Sequence, residues 1–316
     1  MRGCSQCLCL ALIPVIFQVT LADSASGQVQ ISGENACCAS WSPNGTGIAF
    51  ASRTGAQSVE IWTIPATGGT ATQLTSNQDF DSTPSWSSGG QIAFESWRSG
   101  NPDIWVIPAA GGEASQITTD SARDSSPAWS PDGSQLAFAS ERSGNWDIWV
   151  MPATGGTTTQ LTTHGAEDGF PAWSPDGSQI AFMSDRSGNP DIWVIPAAGG
   201  TAWQITTNSL SDSFPDWAPD GTRIAFTSWR SGNADVWDIS VEGGTARQIT
   251  CLDCESCFEA EDPGEDTRPS WSPDGTQIAF DSDRADFFGS IWILAVPAVP
   301  VERSTWGTIK AEYGKS

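Results

Sequence analysis

The chain is poor in the residues that grip phosphate or titrate near neutrality. Its 316 residues include two lysines, one histidine and one tyrosine. Lys and Arg together number 14 against 37 Asp and Glu, a formal net charge of −23. Nucleic-acid binding needs a basic footprint that this composition does not supply. Adhesion to anionic lipid is disfavoured for the same reason. The charge suits a basic partner or bound cations, and it favours solubility. A serine hydrolase of the G-x-S-x-G type is also excluded, because that pentapeptide is missing and His164 is the sole histidine. Long apolar runs are scarce too. The one candidate, Leu8 to Leu21, is broken by Pro14 and Gln18 and is short for a spanning helix. Arg2 precedes it and small residues follow, so residues 1–27 read as an export signal, with cleavage after Ala22 or Gly27. Cys4, Cys7 and Cys9 sit at or before the start of the run, which does not form a lipoprotein cleavage box. No membrane insertion is expected.

Tryptophan, glycine and proline are abundant instead, at 17, 32 and 20 residues, and most of the tryptophans fall in register. Trp41, Trp86, Trp129, Trp173, Trp217 and Trp271 each open a near-copy of W-S-P-D-G-x-x-I-A-F, at spacings of 45, 43, 44, 44 and 54 residues. A second series, Trp62, Trp105, Trp149, Trp193, Trp237 and Trp292, marks D-I-W-V-I-P. A third landmark, Q-[LI]-T, ends at Thr75, Thr118, Thr162, Thr206 and Thr250. Pro and Gly in S-P-D-G, R-S-G-N and Gly-Gly supply turns every 8–12 residues, and the Ile, Val, Trp and Thr between them favour strands. Four short strands per unit of about 44 residues is the period of a propeller blade. The predicted fold is all-β, a six-bladed propeller over residues 28–296. The sixth unit has no Q-I-T after Trp292, but Gln30-Ile31-Ser32 stands ahead of the first unit. The N-terminal strand should therefore complete blade six and close the ring, removing exposed sheet edges.

These units resemble the TolB-like propeller repeat, P-x-W-S-P-D-G-x-x-I-A-F followed by D-I-W and Gly-Gly, over residues 29–296. The resemblance implies a propeller without the α/β domain that precedes it in TolB. A periplasmic partner-binding role is an analogy at this point. The same repeats occur in prolyl-oligopeptidase-type enzymes, whose hydrolase domain is not expected here.

In a meander blade the loops alternate between two faces. The S-P-D-G and Gly-Gly turns share one face and are nearly invariant, whereas the B–C and D–A loops share the other and vary, so function is expected there. Three features converge on that face. Asp81, Asp124, Asp168, Asp212 and Asp266 precede the strand-A tryptophan by five residues, with Ala36 in the first unit, and are expected at the channel mouth. Arg53, Arg98, Arg142, Arg186, Arg230 and Arg284 occupy the B–C loops and could pair with those carboxylates. Trp97, Trp146 and Trp229 lie in the same loops where turn chemistry does not require them, and Phe170 and Phe214 could extend an apolar patch. The expected function is a non-catalytic, monomeric, periplasmic or extracellular scaffold that binds a protein or peptide, with a basic one fitting the charge. The alternative is a metal-assisted lyase or hydrolase that uses the channel-mouth carboxylates. No cofactor is required by the pattern; oxygen-only ligands would suit Ca²⁺, but no contiguous calcium loop is visible.

Removal of the signal leaves Cys37, Cys38, Cys251, Cys254 and Cys257. The last three form C-x-x-C-x-x-C in the insertion that lengthens the final spacing. In a closed ring the two groups are neighbours, and export favours disulfides between them. The odd number leaves one thiol over, and the spacing also admits zinc or an iron–sulfur cluster. Residues 297–316 read as an extended linker and tail.

Overall fold

The computed structural model describes residues 28–33, 35–53, 58–250, 264–284 and 289–296. The expected export signal, Cys251, Cys254, Cys257 and the tail lie outside them. Among the described residues there are 24 strands and no helix, so no helix is long and apolar enough to cross a membrane. They form six four-stranded antiparallel sheets. The innermost strands are β2 (Ala36–Trp41), β6 (Asp81–Trp86), β10 (Asp124–Trp129), β14 (Asp168–Trp173), β18 (Asp212–Trp217) and β22 (Asp266–Trp271).

The third blade shows how the motif makes the sheet. Strand β10 pairs with β11 (Gln135–Ser140), β11 with β12 (Asp147–Pro152), and β12 with β13 (Thr159–Gln160). Leu136, Ala137 and Phe138 are all buried although they alternate sides, because each blade is covered on both faces by its neighbours. The large–small–large pattern of I-A-F follows from this packing. Ala137, Ala139, Ile148 and Val150 of blade three meet Trp173, Ile180, Phe182 and Ile195 of blade four. Each fully buried Ile or Phe contributes roughly 1.5–3 kcal/mol. The core is thus six interfaces between blades, not a single centre.

The D-I-W and Q-I-T landmarks are two halves of one clamp. Asp103, at the head of its D-I-W strand, accepts hydrogen bonds from Gln116 Nε2 (2.9 Å) and Thr118 Oγ1 (3.3 Å), while Thr118 Oγ1 accepts from the Ile104 amide (2.9 Å). Asp147, Asp191 and Asp235 repeat this pattern. The sixth blade builds it from the far end of the chain. There β1 (Gln28–Gln30) pairs with β24 (Ser290–Ala295), which pairs with β23 (Gln277–Ser282). Gln30 Nε2 donates to Ser290 Oγ (2.9 Å) and Ser32 Oγ accepts from the Ile291 amide (2.7 Å). Ile31 is buried at the seam with Trp41, Ile48 and Phe50 of blade one. The expected six blades and N-terminal closure are the observed ones.

Candidate channel and loop-face site

Every innermost strand carries an irregularity two residues after its start. The register slips between Ser125 and Ala128, for example, and Ser126 takes a φ of 53°. The equivalents Cys38, Thr83, Phe170, Phe214 and Arg268 also have positive φ, between 49° and 64°. Positive φ is unfavourable for residues with a Cβ, at about 1–2 kcal/mol each, yet all six blades adopt it. The bulge turns these six side chains into a central cavity of ≈ 330 Å³. One structural position thus presents a thiol, two hydroxyls, two phenyl rings and a guanidinium in an otherwise repetitive protein.

Three consecutive members of this ring touch. The Phe170 and Phe214 rings lie 4.2 Å apart, centroid to centroid, and the Arg268 guanidinium lies 4.6 Å over Phe214. Arg268 reaches Asp281 Oδ2 at 3.2 Å, and the Asp281 carboxylate accepts the Cys38 amide at 2.8 Å. The series links blades four, five, six and one across the closure. Phe170 and Phe214, the expected apolar patch, are therefore half-buried channel residues. Cys38, Arg268, Asp216 and Asp281 were not among the channel residues expected to matter. For Cys38, Arg268 and Asp216 a signal was available: the third residue of the D-x-x-P-x-W segment reads C, T, S, F, F, R, and its fifth is Asp in blade five where the others have Ser or Ala.

The five aspartates require a correction. Asp81, Asp124, Asp168, Asp212 and Asp266 are 0–2% exposed and none lines the central cavity. Asp81, Asp124, Asp168 and Asp212 are bound by Arg98, Arg142, Arg186 and Arg230 at 2.6–2.8 Å, and Asp266 by Arg284. Each guanidinium also donates through Nε to the serine that ends strand B and stacks between a Phe and a Trp, as Arg142 does between Phe138 and Trp149 at 5.1 Å. These carboxylates are internal fasteners, and a metal-assisted reaction at the channel mouth cannot draw on them as open groups. In blade one, where Ala36 replaces the aspartate, Arg53 is exposed.

Asp216 is the carboxylate that does line the channel, at a position filled by Ser or Ala in the other blades. Its Oδ2 accepts the Trp271 amide at 2.7 Å, and burial pushes its pKa from 3.8 up to about 7. The folded protein then holds a proton that the unfolded chain gives up, so this group's stabilising contribution is complete below about pH 4 and lost as the pH rises through 7. Asp216→Asn keeps the acceptor and removes the charge. Its stability in denaturant should exceed that of the wild type at pH 8 by at most about 4 kcal/mol, less where channel water reaches the group, and the difference should vanish near pH 4. Parallel pH profiles for the two proteins would contradict this reading.

The loop tryptophans divide by exposure. Trp97 is 41% exposed, with Nε1 donating to Glu95 Oε1 at 3.1 Å. Trp146 and Trp229 are half-buried; Trp146 also packs against the interface of blades three and four. The Arg123 guanidinium sits 5.8 Å from Trp97 and 5.5 Å from Trp146, joining the loops of blades two and three. Trp146, Phe170, Gly169 and Met183 border a second, mostly apolar cavity of ≈ 220 Å³. The other exposed large apolar side chains among the described residues are Phe80, Leu210 and Trp203. Phe80 and Leu210 lie in D–A loops, on the same face as Trp97; Trp203 lies on the outermost strand of blade four.

Cys37 and Cys38 have free thiols, with Sγ atoms 3.0 Å apart. Their mutual hydrogen bond, aided by the Arg268 guanidinium, lowers the Cys38 pKa, while the same bond and burial raise that of Cys37. The Cys38 amide bonded to Asp281 places the pair at the seam of blades one and six.

An all-β propeller with six four-stranded blades, a bulged inner ring and buried Arg–Asp fasteners defines the class. The TolB beta propeller domain model matches residues 14–126 and 121–211, more than half the chain, and the chain belongs to that family. No curated protein sequence matches it. Among solved structures it is similar to a protein assigned as TolB from Agrobacterium tumefaciens, at 20% identity and a TM-score of 0.64, covering 85% of this chain and 97% of that one. An oligogalacturonate lyase in complex with manganese is 16% identical with a TM-score of 0.61, covering 90% and 97%. A gluconolactonase from Xanthomonas campestris is 12% identical with a TM-score of 0.64, covering 89% and 95%. At these identities the likeness concerns the fold.

Proposed function

We propose that the chain is an exported, non-catalytic scaffold, working in the periplasm or outside the cell, that binds a protein or peptide on the face carrying the B–C and D–A loops. One observation carries the reading: three of the four exposed large apolar side chains among the described residues, Phe80, Trp97 and Leu210, stand on that face. The Trp97 amide donates to the Phe80 carbonyl at 3.0 Å, which ties the two loops into one surface. Aromatic anchors of this kind dominate binding energy in protein interfaces. The aromatic members of the channel ring lie inward of these loops and offer depth for an apolar side chain of the partner. Surplus negative charge favours a basic segment around that anchor.

The test is quantitative capture from envelope extract of the producing organism with immobilised mature protein. Trp97→Ala and Trp229→Ala should weaken recovery of the specific partner by at least about 30-fold, the threshold of an interface hot spot. Trp203→Ala, on the outer strand, should leave recovery unchanged. Equal recovery by all three would remove the support for this face.

A further inference from the structure

We propose that Cys37, Cys38 and Asp281 form a binding site for a thiophilic divalent cation of the zinc class, at the seam where blade six meets blade one. The proposal is independent of the partner-binding reading. The two sulfurs and a carboxylate oxygen of Asp281 all lie within 4.8 Å of one another. Two thiolates and a carboxylate are a recognised donor set for a tetrahedral d¹⁰ ion, with bonds of about 2.3 Å to sulfur and about 2.0–2.2 Å to oxygen. Those bond lengths set ligand–ligand separations of roughly 3.3–3.8 Å. The sulfurs, now 3.0 Å apart, need only open by less than an ångström, which side-chain rotation supplies.

Three further features fit. The Asp281 carboxylate is already aimed: it accepts the Cys38 amide at 2.8 and 3.0 Å and a guanidinium proton of Arg268 at 3.2 Å. Such outer contacts orient a metal ligand in advance. The charge also closes. Two thiolates and one carboxylate carry −3, Arg268 returns +1, and a dication brings the cluster to neutrality. Cys38 lines the central cavity, so the site borders the channel, from which water or a donor group could complete the coordination. Binding transfers the thiol protons to the buffer, as thiolate ligation requires.

A disulfide between the two cysteines is the competing fate of the pair. Adjacent Cα atoms joined by a trans peptide are about 3.8 Å apart, below the roughly 4.4–6.8 Å that disulfides usually span, and both thiols are free in the structure. Geometry therefore leaves both sulfurs available as ligands.

The experiment uses the full mature chain with Cys251, Cys254 and Cys257 changed to serine, so that those thiols cannot bind the probe. Zinc is titrated into the reduced protein against a chromophoric chelator, and cadmium is added in parallel to read the thiolate charge-transfer absorption. One equivalent of zinc is expected, with both remaining thiols protected from alkylation. Loss of an outer contact costs about 10- to 100-fold in metal affinity, so loss of a ligand in Cys38→Ser should cost at least about 100-fold. Asp281→Asn, which keeps an acceptor for the Cys38 amide, should cost at least about tenfold. Cys38→Ser should fold, since Ser126 takes the same backbone conformation at φ 53°; the far-ultraviolet spectrum checks this. No bound zinc, an affinity unchanged in Cys37→Ser and Cys38→Ser, or two thiols found joined to each other under mild reductant would each overturn the proposal.

Discussion

Arg142→Ala should cost roughly 3–5 kcal/mol of stability, the range for removing one partner of a buried ion pair. Asp124 is fully buried and both its oxygens accept from Arg142 Nη2 at 2.8 Å. Without the guanidinium the carboxylate is left charged in an apolar interface, or must take up a proton. Arg142 also fills the slot between Phe138 and Trp149, so packing is lost with the charge. The repeat supplies its own control. Arg53 holds the same place in blade one, where Ala36 stands for the aspartate, and Arg53→Ala should stay within about 0.5 kcal/mol of wild type. The double change Arg142→Ala with Asp124→Ala should recover part of the loss, because the stranded charge goes too. Denaturant unfolding of wild type and the three variants measures all of this. Equal losses in Arg53→Ala and Arg142→Ala would mean that the ion pairs are incidental.

Removing residues up to Ser32 should have the larger effect on the state of the protein. Strand β1 is the outer edge of blade six, pairing Gln28, Val29 and Gln30 with Leu294, Ile293 and Trp292. Its loss strips Ile31 from the seam and bares the backbone of β24, an open edge that invites pairing with another chain. A truncated chain beginning at residue 33 should melt at least about 10 °C lower, since each kcal/mol is worth roughly 2–4 °C in a domain near this size and several are lost with a buried Ile and a strand of hydrogen bonds. It should also self-associate in gel filtration. A truncated protein that stays monomeric with an unchanged melting temperature would show that the ring does not depend on this clasp.

Much of the fold was legible because local chemistry and packing agree in every copy. W-S-P-D-G, I-A-F and D-I-W mark strand, turn and strand, and the displaced Q-I-S reveals the closure. The site was less legible for a physical reason. Alternation tells inward from outward only while a strand is regular, and the bulge after Asp81, Asp124, Asp168, Asp212 and Asp266 breaks it. The aspartates consequently turn into the fold, whereas the residues two positions later enter the channel. Contacts across the seam are invisible to local pattern altogether: Asp281 and Cys38 are 243 residues apart in sequence and share a hydrogen bond. Blade five shows that a broken pattern can carry information. Asp238 replaces the Val of D-I-W-V, while Arg223 and Arg247 appear on the flanking strands, and the three form a pair of ion bridges at 2.5 and 2.7 Å around the buried carboxylate. One departure from the repeat accompanies the other two.

The proposed partner-binding face is tested most directly by hydrogen exchange of the mature protein alone and with its captured partner. Slowed exchange is expected in the loops around Phe80, Trp97, Trp146, Leu210 and Trp229, with the Gly-Gly and Pro-Asp-Gly turns unchanged. Protection confined to those turns, or to the outer strand around Trp203, would contradict the assignment of the binding face.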